Sequence, residues 1–486
     1  MKLNHILEGI EVLSVVGNKD VEVLNVEYDS RKVEKGTLFI CIKGFVSDGH
    51  RYIDSAYEKG ARVFLIQDDV DFKEDCTYVK VEDTRKTMAK VAANFCEHPA
   101  DKFDVIGVTG TNGKTSITTF INEILRNCNK KVGLIGTIKI FDGDNEVPSN
   151  STTPESVDLQ KIFKRMVDNG CDCCAMEVSS HSLELSRVDD TNFKIGIFTN
   201  LTPDHLDFHK TLENYRKAKE KLFHKTTQAN IINVDDEGGR KIYESIKELD
   251  TPCYTYGIEH EADFTARNIK SDASGVAYTL VTPNHTEDIF IPVPGKFTVY
   301  NTLAVIAACE MLGIDKEDYL NSLRNTGGVA GRFETVPNDK GISVIVDYAH
   351  TPDALENVLN TAREFVEGEL IAVFGCGGDR DSEKRPLMGG IGQRLSDRCI
   401  ITNDNPRTED PELIIKDILA GLDESNENYK VVMDRKEAIK EAIESAKKGD
   451  VILIAGKGHE NYQILGTVKH HFDDKEVARE VLDSLK

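Results

Sequence analysis

Residues 105–109, "VIGVT", form an apolar run that stops at glycine, and "KTSITTFINEILRNC" at 114–128 then spaces its apolar positions three and four apart. The first pattern fits a strand buried on both faces, the second a helix with one apolar stripe. The rhythm repeats through "KVGLIGT", the helix "SVDLQKIFKRMVDNG", the strands "CDCCAMEVSS" and "FKIGIFTN", the helix "LENYRKAKEKLFHK" and the strand "ANIINVD". Strands alternating with helices predict a mostly parallel sheet, the α/β class. Ahead of it, "GTLFICIKG", "HRYIDSAYEKGA" and "RVFLIQD" predict a small strand–helix–strand unit, broken by "FCEHPADKFD" around Pro99. Residues 253–295 suggest short hairpins, and "YNTLAVIAACEMLG" an apolar helix closing the central unit. After "GGVAGRFE" a third series opens with "ISVIVDYAHTPDALENVL" and runs through "LIAVFGCGGDRD", "RCIITNDNPR" and "DVILIAGKGHE". The expected domains are therefore 1–99, 100–328 and 329–486.

A length of 486 residues accommodates three such units, and 40% hydrophobic with 29% charged residues is ordinary globular composition. The formal net charge of −23 argues against nucleic-acid binding, which needs a basic stripe, but leaves room for a local cationic pocket. Glu8 and Glu11 interrupt the apolar start and no long apolar run follows, so neither a secretion leader nor a membrane span is expected. Eleven scattered cysteines suit a reducing cytoplasm. "CDCC" at 171–174 has no second Cys/His pair nearby and reads as buried strand rather than metal site. A cytoplasmic monomer is expected.

Between the first strand and helix lies Gly110-Thr111-Asn112-Gly113-Lys114-Thr115-Ser116. A Walker loop would carry glycine six residues before the lysine, where this chain has Val108. The remaining spacing still suits phosphate. Gly110 and Gly113 bare backbone N–H groups, the helix start supplies a positive dipole end, Lys114 neutralises the β and γ phosphates, and Thr115 offers a hydroxyl to Mg²⁺. Glu177 and His205 fall at the ends of two neighbouring predicted strands. Each could cap a helix, but as a set with Thr115 they suit Mg²⁺.

"GTNGKT", "EVSSH", "TNLTPDHLDFH", "YRKAKEKLF", "YN" at 300–301, "GRFE" and "VDYAHTPDALENVL" resemble, in order and across the whole chain, the Mur ligases, the ATP-dependent amide-forming enzymes of peptidoglycan precursor synthesis. The resemblance implies three domains: an N-terminal one for the UDP-substrate, a central P-loop-type one for ATP, and a Rossmann-like C-terminal one for the incoming amino acid. It implies that the substrate's glutamate carboxylate attacks the γ-phosphate of ATP, giving an acyl phosphate that an amine then displaces. Lys219 matches the family lysine that is carbamylated, although its own neighbourhood, "RKAKEK", reads as a solvated helix face. By the same resemblance Asn301 contacts the adenine-bearing end of ATP, and Arg332 and Asp347 belong where the third domain closes on the nucleotide. Ser30, Thr152, Thr153, Ser179 and Arg187 would hold the UDP-substrate, though Ser30, Thr152 and Thr153 serve equally well as turn and capping residues. Ser151, Leu185 and Thr298 depart from residues common in the family.

"YDSRKVEKGTLFICIKG", "GCGGDRDSEKRPLMG", "DNPRTEDP" and "AGKGHENYQ" narrow the likeness to the members that add the third stem-peptide residue, with UDP-muramoyl dipeptide and meso-diaminopimelate as partners of ATP and Mg²⁺. Diaminopimelate carries an ammonium and a carboxylate at its far end, and lysine carries the ammonium alone. Arg407, helped by Arg380, can fork onto that carboxylate. Asp404 and Glu460 suit the ammonium, Asn405 either group, Pro406 stiffens the turn and Gly456 admits close backbone approach. Read without the family, Asp404 and Arg407 would equally well make a surface ion pair ahead of a capped helix. A lysine-adding homologue, a folylpolyglutamate synthase-like ligase and a non-catalytic nucleotide switch are the competing readings.

Overall fold

The computed structural model describes residues 1–44, 47–147 and 151–485. Internal contacts divide the chain into two compact units, Met1–Thr255 with Ala307–Ile314, and Tyr256–Ile306 with Asp315–Lys486.

In the first unit, the strands Asn25–Glu27, Thr37–Ile40, Val63–Ile66 and Thr77–Lys80 pair in parallel, and Ser14–Val16 runs antiparallel beside the last. The predicted helix around "HRYIDSAYEKGA" begins as a 3-10 turn, Gly49–Tyr52, because Asp48 accepts from the His50 N–H; the α-helix follows at Ile53–Glu58. A larger sheet has the order Thr226–Asn233, Phe193–Phe198, Asp104–Thr109, Cys173–Glu177, Val132–Ile135, with the short antiparallel strands Ile140–Phe141 and Glu146–Val147 beyond. The five leading strands are parallel, as the apolar runs predicted. Glu177 pairs in register with Val108, and Phe198 with Thr109, so both neighbouring strands deliver their carboxyl ends beside the Gly110–Thr115 loop.

Two boundaries differ from the sequence reading. The strand in "CDCCAMEVSS" ends at Glu177, because the Ser179 hydroxyl accepts from Ser182 N–H and caps a helix over Ser180–Glu184. The helix in "LENYRKAKEKLFHK" is α-helical over Leu212–Glu220 and finishes as a 3-10 turn at Lys221–His224. Cys171, Cys173 and Cys174 are buried free thiols, with burial pushing Cys173 up to about 12, so "CDCC" packs as core.

In the second unit, the strands Phe264–Asp272, Gly275–Val281 and Thr286–Ile291 form an antiparallel meander. The larger sheet has the order Glu334–Thr335, Ser343–Asp347, Val451–Ala455, Leu370–Phe374, Arg398–Ile401, Tyr429–Val431, parallel from the second strand on. Chain order reverses where Val451–Ala455 inserts between the strands ending at Asp347 and Phe374. Such a switch point, outside the carboxyl ends of parallel strands, is where open α/β sheets hold ligands. Residues 375–380, 402–407 and 456–460 all emerge there.

Candidate functional site

Gly110, at φ +146°, and Gly113, at φ +87°, occupy backbone conformations open mainly to glycine. A Cβ on Gly110 would lie 1.8 Å from Thr199 Oγ1, so side-chain substitution is barred by space as well. The loop is held from the adjacent strand end. Thr111 N–H donates to Asn200 O at 2.9 Å, Asn112 N–H to Asn200 Oδ1 at 2.9 Å, and the Thr199 hydroxyl to Asn112 O at 2.6 Å. Gly113 precedes the helix Lys114–Asn127, whose first turn contains Thr115, buried, and Ser116.

Lys114 Nζ donates to Gly110 O at 2.9 Å and to Thr111 O at 2.7 Å. Lys219 Nζ donates to the same Gly110 carbonyl at 2.7 Å. The solvated reading of Lys219 is therefore wrong: its helix turns this lysine inward, 1% exposed, over the Tyr215 ring. Burial, and then the Lys114 charge, hold its pKa well below the ordinary 10.5, with Asp204 opposing. Burial thus disfavours the ammonium and favours the uncharged amine, which is the nucleophilic form.

The shift has a stability consequence. The unfolded chain holds a proton at Lys219 more tightly than the folded chain does, so stability rises with pH until the ordinary lysine pKa is passed. Lys219→Met is thus expected to resist urea better than the parent at about pH 7, with the gap closing towards about pH 10. Urea midpoints across that range check this; a variant less stable at neutral pH, or a gap independent of pH, contradicts it.

Glu177 is buried, and both its oxygens are engaged by Thr137, with Thr137 N–H to Oε1 at 2.8 Å and the hydroxyl to Oε2 at 3.1 Å. His205 opens the short helix Leu206–His209 in a left-handed conformation. Burial lowers its pKa, Lys114 lowers it further, and Asp204 opposes, favouring the neutral imidazole that ligates metals. The hydroxyl and carboxylate are oxygen donors that suit Mg²⁺ directly, and the imidazole can hold one of the waters the ion keeps.

Three features here escaped the sequence reading. His181 lies 4.7 Å from His205 and 5.4 Å from His209, centroid to centroid, and burial with its neighbours lowers its pKa to about 4. His209 is buried against Ser180 Oγ at 2.9 Å. Tyr215 OH sits 3.3 Å from Thr111 Oγ1, tying the lysine helix to the loop. All lie inside motifs already noticed, but no spacing rule brings them together.

The residues expected for the UDP-substrate divide into two groups. Thr153 links the loop to the sheet: its hydroxyl donates to Glu177 O at 2.8 Å and accepts from Ser179 N–H at 3.0 Å, and Arg187 donates to Thr153 O at 3.1 Å. Thr152 Oγ1 meets Thr137 Oγ1 at 3.0 Å, and Ser151 Oγ donates to Thr153 O at 3.1 Å. Arg187 pairs with Glu155, which also binds Arg85. Ser30 lies apart on the turn Ser30–Lys32, but it lines a cleft of about 790 Å³ together with Ser151, Pro154 and Glu155. That volume suits a nucleotide-sized ligand. Leu185 ends the Ser180–Glu184 helix.

The second unit holds the remaining candidates. Asn301 is buried on the helix Lys296–Met311, and Thr298 on the same helix donates to Pro294 O. Asp347, buried, accepts from Phe333 N–H at 2.6 Å and Ala349 N–H at 2.7 Å, while Arg332 lies over the Tyr348 ring. At the switch point, Arg407 takes φ +53°, held by its N–H to Ile464 O at 3.1 Å and by Gly466 N–H to its carbonyl at 2.8 Å. Its guanidinium donates to Gly378 O at 2.7 Å. Among the described residues it makes no ion pair with Asp404, which sets aside the surface-pair reading. Arg380 is exposed and donates to Asp379 O at 3.2 Å. Asp404 and Asn405 are buried, and Asn405 Nδ2 donates to Glu460 Oε2 at 2.8 Å. Pro406 is buried at the turn. A Cβ on Gly456, at φ +118°, would come within 2.7 Å of Asp404 Oδ2. Asn405 and Glu460 thus touch, Asp404 abuts Gly456, and Arg407 rests on the neighbouring Gly378 loop, with Arg380 exposed beside it.

Residues 22–96 match the Mur ligase family catalytic domain, 108–309 the Mur ligase middle domain, and 331–458 the Mur ligase glutamate ligase domain. The chain is 70% identical over 485 residues, covering 100% of both proteins, to a UDP-N-acetylmuramoyl-L-alanyl-D-glutamate–2,6-diaminopimelate ligase of Clostridioides difficile. It is 49% identical to the protein of the same description in Alkaliphilus metalliredigens, covering 99% of this chain and 97% of that one. A solved structure described as that ligase superposes with a TM-score of 0.72 at 32% identity, over 100% of this chain and 99% of the other. With three family domains in order and full-length relatives this similar, the chain belongs to the Mur ligase family.

Proposed function

We propose that this protein uses ATP to join meso-2,6-diaminopimelate to the D-glutamate of UDP-N-acetylmuramoyl-L-alanyl-D-glutamate, a cytoplasmic step of peptidoglycan precursor synthesis on which cell shape and division depend. The observation that carries the reading is that Arg407, Asp404, Asn405 and Glu460 all lie on the loops leaving the switch point, offering a guanidinium and carboxylates to an amino acid whose far end bears both charges. We assign the UDP-substrate to residues 1–99, ATP to 100–328 and the amino acid to 329–486, in a protein working as a monomer.

Two anions must meet in the first step, so cations have to be fixed in advance. Lys114 and the positive helix start at residues 113–115 bind the triphosphate. The glutamate carboxylate oxygen attacks the γ-phosphorus as the bond to ADP breaks, giving the acyl phosphate. The amine of the incoming amino acid then attacks the acyl carbon, phosphate leaves from the tetrahedral intermediate, and the nitrogen loses a proton. Mg²⁺, when bound, screens the reacting oxygens; Thr115, Glu177 and His205 would hold it. Lys219 joins this set by carbamylation: its neutral amine bonds to the carbon of CO₂, one C=O electron pair moves to oxygen, and the nitrogen proton passes to water. An uncharged amine is thereby replaced by an anion carrying two oxygen donors. Ser30, Thr152, Thr153, Ser179 and Arg187 position the nucleotide sugar, and Asn301, Arg332 and Asp347 serve ATP.

ADP release measured with each substrate omitted in turn tests the reaction. Turnover requiring ATP, the muramyl dipeptide and an amino acid together is expected. Turnover with ATP alone would favour a nucleotide switch, and turnover with a folate acceptor would favour a folylpolyglutamate synthase-like ligase.

A further inference from the structure

Among the charged groups at the switch point, Lys457 has no part in the chemistry above. It is fully buried, yet its Nζ stands 3.2 Å from Glu460 Oε2 and 3.3 Å from Asn405 Oδ1. Asn405 Nδ2 donates to the same Glu460 oxygen at 2.8 Å, so one carboxylate oxygen is taken up by two internal donors. The other, Oε1, meets the Tyr462 hydroxyl at a long 3.4 Å and retains acceptor capacity. Glu460 is 15% exposed at its side chain while Lys457 is sealed beneath it. Other charges near this cluster include Asp404, buried alongside Gly456, Arg407 on the neighbouring turn, and Arg332, which lies over the Tyr348 ring that packs on His459. Deeper still, Arg435 and Asp474 form a fully buried pair that cancels itself, with Arg435 donating to the Ala455 and Asn403 carbonyls behind the two loops.

We propose that Lys457 is a positioning and specificity-determining residue of the amino-acid site. Asp404 and Glu460 bring negative charge to this surface, and Lys457 offsets part of it from beneath. Removing Lys457 makes the surface one charge more negative, which favours a ligand end with a lone ammonium over one that also carries a carboxylate. The buried cation thus favours diaminopimelate over lysine without touching either, by cancelling one carboxylate and by turning Glu460 so that Oε1 is left for the ligand.

This inference rests on the amino-acid assignment made above, and its test separates the two. In the full-length protein, Lys457→Met removes the charge at similar volume, and Lys457→Gln keeps hydrogen bonding should the methionine variant not fold. The specificity constants for meso-diaminopimelate and L-lysine are measured, with lysine read as substrate or competitive inhibitor, alongside the KM for ATP and the thermal midpoint. A fall in the diaminopimelate-to-lysine ratio of about tenfold or more is expected, as one uncompensated charge at this range implies, with the KM for ATP unchanged. A folded variant with the parent's ratio overturns the role of Lys457, as does a loss shared equally by both amino acids. A parent protein unable to use diaminopimelate overturns the amino-acid assignment itself.

Discussion

Replacing Lys114 by methionine is expected to lower kcat by about a thousandfold, the scale seen when a pre-positioned electrostatic group is removed from a charged transition state. The side chain is already aimed: its ammonium spans the Gly110 and Thr111 carbonyls, inside a loop that Thr199 and Asn200 hold from the next strand. Positioning of this kind acts where the γ-phosphoryl group gathers charge, so the larger effect should fall on kcat, with a smaller one on the KM for ATP. Steady-state kinetics at saturating amino acid separate the two. A variant that keeps the parent's kcat would remove Lys114 from the reaction.

Replacing Arg407 by alanine is expected to raise the KM for diaminopimelate by about a hundredfold, the range of a hydrogen bond between charged partners, while nucleotide affinity stays nearly constant. The strained backbone at Arg407 supports this. A non-glycine residue at φ +53° costs free energy, and two hydrogen bonds from residues 464–466 hold it there. The guanidinium rests on the Gly378 carbonyl, a neutral acceptor that a ligand carboxylate would outcompete. Saturation kinetics with each amino acid, paired with a nucleotide titration, check the split. An unchanged KM for diaminopimelate would refute the role.

The parallel sheets and the nucleotide loop were legible because local patterns specify them: an apolar run, glycines and an amphipathic helix suffice for the Gly110–Thr115 loop whatever surrounds it. Strand ends likewise announced Glu177 and the loops at 375–380, 402–407 and 456–460. Burial of charge was not legible. Lys219 stands among other lysines on a polar helix, and only its approach to Gly110 shows it to be internal. Lys457, Arg435 and Asp474 were passed over for the same reason: periodicity assigns charge to the surface, and partners 52 and 39 residues away in the chain are invisible to it. The imidazoles of His181, His205 and His209 meet because two helix starts converge. The capped turn at Ser179 and the 3-10 ending at Lys221–His224 shifted boundaries through single hydrogen bonds that apolar patterning does not register.

Charged side chains at the switch point select, in this scheme, an amino acid with two charges at its far end. Supplying ATP, Mg²⁺ and UDP-N-acetylmuramoyl-L-alanyl-D-glutamate with equal concentrations of meso-diaminopimelate and L-lysine, and identifying the UDP-muramoyl tripeptide by mass, tests it most directly. The diaminopimelate product is predicted to dominate overwhelmingly; a mixture, or a product carrying mainly lysine, would contradict it.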